Sequence, residues 1–210
     1  MIQDIWPKHL DNQYKNLKPG NEDTVFYFQG SSLLARPSGH FNSQNPEENV
    51  LIYPQYDEFV QGIKSSYGDK AVDNFEFIYL LSIDEEHFFL ARKTGSLERG
   101  TFLGEMADSA VHKDMYSFVR GYEFIGVDSF RKAQPREHAY AAITAFHLYG
   151  WYRDNHFCGR CGKPLKHDDK QRMLRCDCCK NMVFPKICPA VIVAVTDKDR
   201  IPVSYTHLRA

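Results

Sequence analysis

Phe157-Cys158-Gly159-Arg160-Cys161-Gly162 and, after fourteen intervening residues from Cys161, Cys176-Asp177-Cys178-Cys179 are the two stretches on which the reading turns. Two C-x-x-C pairs at this separation are the spacing of a zinc site. Zn²⁺ prefers four ligands in a tetrahedron with sulfur at about 2.3 Å. Each C-x-x-C forms a tight knuckle that aims two thiolates at one point, and Gly159 and Gly162 relieve crowding in the first. Lys163 to Arg175 is long enough for a hairpin that brings the second knuckle alongside. With Cys158, Cys161, Cys176 and Cys179 as ligands no coordination position stays open, so such a zinc is structural and not catalytic.

All six cysteines fall between Cys158 and Cys188, and the first 157 residues have none. Disulfide-stapled domains spread their cysteines across the fold, whereas a tight cluster points to metal. Cys178 breaks the two-residue spacing and is read as a bystander. Cys188 precedes an apolar run and reads as a small core residue. His156 and His167 flank the cluster and read as exposed or structural.

Upstream of the knuckles, Ala139, Ala142, Ile143, Phe146, Tyr149 and Tyr152 recur at three- and four-residue steps, so Arg136 to Arg153 is expected to be a helix. Pro135 stands where a first-turn proline is tolerated. Residues 1 to about 130 read as strand-rich. Val25-Phe26-Tyr27-Phe28 and Leu33-Leu34-Ala35 flank a turn-like Gln29-Gly30-Ser31-Ser32, and Leu51-Ile52-Tyr53 is a further short run. Phe75 to Ile83 and His87 to Ala91 are joined by Asp84-Glu85-Glu86 as a second hairpin. Downstream, Pro189 to Val195 is a candidate buried strand and Thr196 to Arg200 a polar turn. Pro202 in the next segment suits no central strand.

The fold class expected is α+β. The expected division is a strand-rich N-terminal domain at 1–130, a linker helix at 131–155, a zinc ribbon at 156–186, the start of a further domain at 187–201, and a tail at 202–210. The chain of 210 residues carries a formal net charge of −1, with 43% hydrophobic and 25% charged residues. That supports a real core and argues against a protein devoted to gripping nucleic acid, which shows a basic surplus. No segment reaches the roughly 18 apolar residues of a membrane span. The N-terminus lacks a signal-peptide layout, so a cytoplasmic location is the default.

The helix ending in Trp151-Tyr152-Arg153-Asp154-Asn155-His156-Phe157, the two knuckles, Phe184-Pro185 and the strand from Pro189 together resemble the NADH pyrophosphatase (NAD diphosphatase) family of zinc-ribbon Nudix hydrolases. The resemblance covers about residues 130 to 201. It implies an N-terminal domain, a zinc ribbon and a C-terminal Nudix α/β/α domain, of which this chain would carry only the first strand. It also implies hydrolysis of NADH or NAD⁺ to nicotinamide mononucleotide and AMP, with NAD-capped RNA a substrate of some members. Mg²⁺ or Mn²⁺ held by Nudix glutamates would serve the reaction, and the full-length protein would be a homodimer. Phe184 matches the aromatic that stacks on the nucleotide base, although it also reads as a core aromatic. Arg131 weakly matches a substrate-contacting arginine, although it also reads as a solvated charge. The chain departs from the family at the signature G-x5-E-x7-R-E-U-x-E-E-x-G-U, which is absent. Glu47-Glu48, Glu85-Glu86 and Arg136-Glu137 lack its flanks. Val203 to Ala210 is similar to translated sequencing-adapter sequence, so the chain reads as truncated before the Nudix box, inactive by itself, with a non-native tail. The competing reading is a non-enzymatic zinc-ribbon module binding nucleic acid or protein.

Overall fold

The computed structural model describes residues 4–39, 50–94 and 118–186. Cys188, the strand from Pro189, the segment 202–210 and Glu47-Glu48 lie outside them.

The strand-forming runs assemble into a seven-stranded mixed sheet. Its strands are β1 (Leu10–Asp11), β2 (Thr24–Gln29), β3 (Ser32–Pro37), β4 (Leu51–Ile52), β5 (Phe75–Ile83), β6 (Glu86–Lys93) and β7 (Glu123–Gly126). The spatial order is β1-β5-β6-β2-β3-β4, with β7 also paired to β3. Both expected hairpins form. β2 and β3 meet antiparallel only at Phe28↔Leu33 and Gln29↔Ser32, and the other edge of β3 pairs with β7 from Ser32↔Gly126 to Ala35↔Glu123. β5 and β6 pair from Phe75↔Lys93 to Ile83↔Glu86. The two hairpins join by a parallel pairing of β2 with β6. That contact depends on tertiary packing and has no signature in either run.

Period-two alternation gives the sheet two buried faces. Phe26, Phe28, Leu33, Ala35, Leu80 and Leu90 face one core. Val25, Leu34 and Ala91 face the other, with Phe59 and Ile63 of α1 (Tyr56–Tyr67). Sequence reading missed α1, although its signals exist. Glu58 closes a capping box on Gln55, and Ile63 follows Phe59 by four residues and Val60 by three, the helical steps.

On the opposite face lies α2 (Arg136–Asp154), which follows Pro135 as expected. Its buried residues are Ala139, Ala141, Ala142, Ala145, Leu148, Trp151 and Tyr152. Of the stripe read from the sequence, Ala139, Ala142 and Tyr152 are buried, while Ile143, Phe146 and Tyr149 are partly buried against the same core. The helix is covered on two sides, by the sheet and by the 3₁₀ segment Val127–Lys132, so the buried arc is wider than one stripe. The alanines let the backbone approach closely. Phe146 and Tyr149 instead cover Phe28, with ring centroids 5.6 and 5.1 Å away. None of the helices is long and apolar enough to cross a membrane, among the described residues.

The segment Leu165 to Val183 forms a separate three-stranded antiparallel sheet of β8 (Leu165–His167), β9 (Leu174–Cys176) and β10 (Met182–Val183). The expected hairpin between the knuckles is β8–β9. Cross-strand register places Lys166, Arg175 and Met182 in one row and His167, Leu174 and Val183 in the other. The first row is exposed. Leu165, Leu174 and Val183 pack into the core shared by the large sheet and α2.

Gly62 marks the tightest point under α1. A Cβ there would lie 2.7 Å from the carbonyl oxygen of Phe118 and 3.0 Å from Val119 Cγ2. Alanine is the better helix former by about 1 kcal/mol, but the backbone oxygen cannot yield as a side chain would. Gly62→Ala is expected to destabilise by about 1–3 kcal/mol, read as a lowered melting temperature. An unchanged or raised value would show that the 118–119 segment moves freely.

Candidate metal centre

Each knuckle is built by the same backbone bonds. The Cys158 N–H donates to the Lys163 carbonyl (2.8 Å) and the Gly162 N–H to the Cys158 carbonyl (2.8 Å). Eighteen positions on, the Cys176 N–H donates to the Asn181 carbonyl (2.9 Å) and the Lys180 N–H to the Cys176 carbonyl (3.0 Å). The turn closes only if the residue after the second cysteine is left-handed. Gly162 has φ 69° and Lys180 φ 58°. Glycine takes that region freely, whereas lysine is strained there. Relief of crowding, the role expected of Gly159 and Gly162, is not what the structure shows, since a Cβ at either would meet nothing within 4 Å; Gly162 instead supplies the left-handed turn. Lys180 was missed, and superposing the two C-x-x-C-x sequences was the signal that would have found it.

The knuckles bring the four sulfurs of Cys158, Cys161, Cys176 and Cys179 within 4.8 Å of one another. Cys158 Sγ lies 3.5 Å from Cys179 Sγ, and Cys161 Sγ 3.4 Å from Cys176 Sγ. These separations are far longer than the roughly 2.05 Å of a disulfide. They approach the edge of about 3.8 Å that a tetrahedron with 2.3 Å metal–sulfur bonds requires. The four cysteines can therefore hold a zinc ion. Among the described residues they are the one His, Cys, Asp or Glu group so arranged.

The surroundings favour the thiolate at Cys158 and Cys176, whereas at Cys161 and Cys179, despite N–H bonds from Lys163 and Asn181, hydrogen bonds with neighbouring cysteine sulfurs push the thiol up. The Arg160 N–H, 3.4 Å from Cys158 Sγ, draws that thiol down to about 6. The Cys179 N–H draws the Cys176 thiol down as well. Asn181 Nδ2 stands 3.7 Å from Cys158 Sγ. Cys158 and Cys176 are buried, while Cys178 is exposed and outside the cluster. Neither His156 nor His167 joins it. His167 is structural: its Nε2 pairs with the Tyr152 hydroxyl at 2.7 Å, and burial holds its pKa below the usual value.

The residues expected to contact substrate lie apart in the chain. Phe184 follows β10 and is 49% exposed among the described residues. Arg131 belongs to the 3₁₀ segment Val127–Lys132 that flanks α2.

A mixed α+β protein that carries a four-cysteine ribbon on a strand-rich sheet is the class these features define. No protein-family model matches the chain. It is 37% identical over 51 residues to the NAD-capped RNA hydrolase NudC of Pseudomonas aeruginosa, covering 24% of this chain and 18% of the relative. It is 36% identical over 55 residues to the NudC of Deinococcus radiodurans, covering 26% and 20%. It is 35% identical over 62 residues to the NudC of Salmonella newport, covering 30% and 24%. The likeness thus spans a quarter or less of each of these relatives.

The repeated turn gives opposite expectations at its two left-handed positions. In metal-loaded protein Gly162→Ala should lower stability and Lys180→Gly raise it, each by about 1 kcal/mol. Thermal melts of both variants check this. A Lys180→Gly variant less stable than the parent would mean that the lysine side chain makes a contact outweighing its backbone strain.

Proposed function

We propose that Cys158, Cys161, Cys176 and Cys179 bind one structural Zn²⁺, and that the chain is part of an NAD(H) diphosphatase of the Nudix type. The metal reading rests on the sulfur geometry. The functional reading rests on one observation: the likeness to three NudC hydrolases in a chain that also carries the ribbon. The activity that names these relatives, hydrolysis of NAD-capped RNA, suggests a substrate with an NAD diphosphate, whether free NADH, NAD⁺ or a capped transcript.

In this reading residues 1–130 form the N-terminal domain, 131–155 the linker, 156–186 the ribbon, and 187–201 the first strand of the catalytic domain. The glutamates that would hold Mg²⁺ or Mn²⁺ do not occur in signature form within the 210 residues. The closed thiolate set offers no Lewis-acid position in their place. The 210-residue chain is therefore expected not to hydrolyse NADH, while a homodimeric protein bearing the signature would be located in the cytoplasm and do so. Turnover of NADH to nicotinamide mononucleotide by residues 1 to 210, above a buffer control, would contradict this.

Phe184 and Arg131 are the proposed substrate contacts. Pro185 biases Phe184 toward an extended conformation. The second knuckle fixes where that segment leaves the ribbon, so the half-exposed ring is presented at little entropic cost. Stacking of a base on an aromatic ring is worth about 1–3 kcal/mol. In a protein bearing the Nudix signature, Phe184→Ala should raise KM for NADH about five- to a hundredfold, and Phe184→Tyr should be nearly silent. Melting temperature should change little in either. A large fall in melting temperature with KM unchanged would make Phe184 structural.

A further inference from the structure

We propose that Arg172 is a latch through which the metal-held ribbon secures the open edge of the large sheet. It lies at the tip of the β8–β9 hairpin. The tip is shaped by Asp168, whose carboxylate accepts the N–H groups of Lys170 (2.9 Å) and Gln171 (3.0 Å), while its own N–H donates to the Met173 carbonyl (3.0 Å). From there the guanidinium reaches two distant chain segments. One Nη donates to the Leu80 carbonyl, 92 positions away, and the other to the Asn12 carbonyl at 3.4 Å. The cation also sits over the Tyr14 ring, 5.8 Å from its centroid.

The Leu80 carbonyl is open to this contact for a reason. The β5–β6 register shifts between Tyr79 and Leu81, so Leu80 is the extra residue of a bulge and has no partner on β6. A bulge leaves one residue outside the ladder. On its other side β5 pairs with β1 only at Ser82 and Ile83. Arg172 therefore supplies a donor where the sheet has none. No carboxylate among the described residues forms an ion pair with it, and a partly buried cation without one is held by carbonyls and ring faces.

The metal site and the latch are ends of one hairpin. Cys176 and Arg172 are four residues apart, about 13 Å along an extended strand. Between them Leu174 enters the common core, and opposite it His167 pairs with Tyr152 of α2. A segment of about 30 residues has too little core to fold alone without a metal. Loss of the metal would then release β9, withdraw Arg172, and free the β5 edge together with residues 12–14. The ribbon thereby makes the stability of a distant sheet edge depend on metal occupancy. The proposal rests on the metal reading of the four cysteines.

Hydrogen exchange on the whole 210-residue chain tests it, with Co²⁺ replacing zinc so that the thiolate charge-transfer absorption reports the site independently. Removing the metal should speed exchange in residues 10–15 and 76–82 by about ten- to a hundredfold, the worth of hydrogen bonds to a charged group. Exchange in α1 should be unchanged. In Arg172→Ala the cobalt band should persist while the same two segments exchange as fast as in metal-free parent. If Arg172→Ala does not fold, Tyr14→Leu, which removes the ring beneath the guanidinium from the sheet side, is read in the same way. A cobalt band in parent and variant, with those segments protected equally in both and in metal-free parent, overturns the latch. Failure to form the band overturns the metal reading beneath it.

Discussion

Convergence of four thiolates on one point is the constraint from which the rest of the ribbon follows. Three strands of two or three residues bury too little apolar surface to hold together. The knuckles around Cys158 and Cys176 bring four sulfurs within 4.8 Å of one another, a set that could hold a metal ion and tie the pair together. The same constraint explains the left-handed Lys180. Backbone strain of this kind persists where the surroundings over-determine the conformation, and the proposed zinc ligation would do so at this turn.

The ribbon in turn depends on the sheet. One face of its strands is exposed, with Lys166, Arg175 and Met182. The other carries Leu165, Leu174 and Val183 into the core that α2 and the large sheet already share. α2 is thus a spacer with two packed sides, and its alanines set the distance between sheet and helix. Phe184 leaves this assembly as a half-exposed ring next to a fixed knuckle.

Local chemistry was legible in the sequence and long-range geometry was not. The metal cluster, the hairpin between knuckles, both sheet hairpins and the helix from Arg136 follow from spacing and period, because each depends on neighbours within a few residues. α1 was legible and overlooked, since Gln55, Glu58 and the Phe59–Ile63 spacing announce it. The parallel β2–β6 pairing has no local signature. Nor does Arg172, which reads as one more surface charge in a polar hairpin tip. Its role exists only because a bulge at Leu80, 92 residues earlier, leaves a carbonyl facing it. The buried arc of α2 extends beyond its recurring stripe for a related reason, since a helix covered on two sides shows no single stripe.

The central claim is that four cysteines of this chain, and nothing else, bind the metal that holds the ribbon together. Zinc-edge X-ray absorption of the purified 210-residue chain tests it most directly. The account predicts one zinc per chain with four sulfur neighbours at about 2.3 Å. A first shell containing nitrogen or oxygen, or a folded ribbon that carries no zinc, would contradict it.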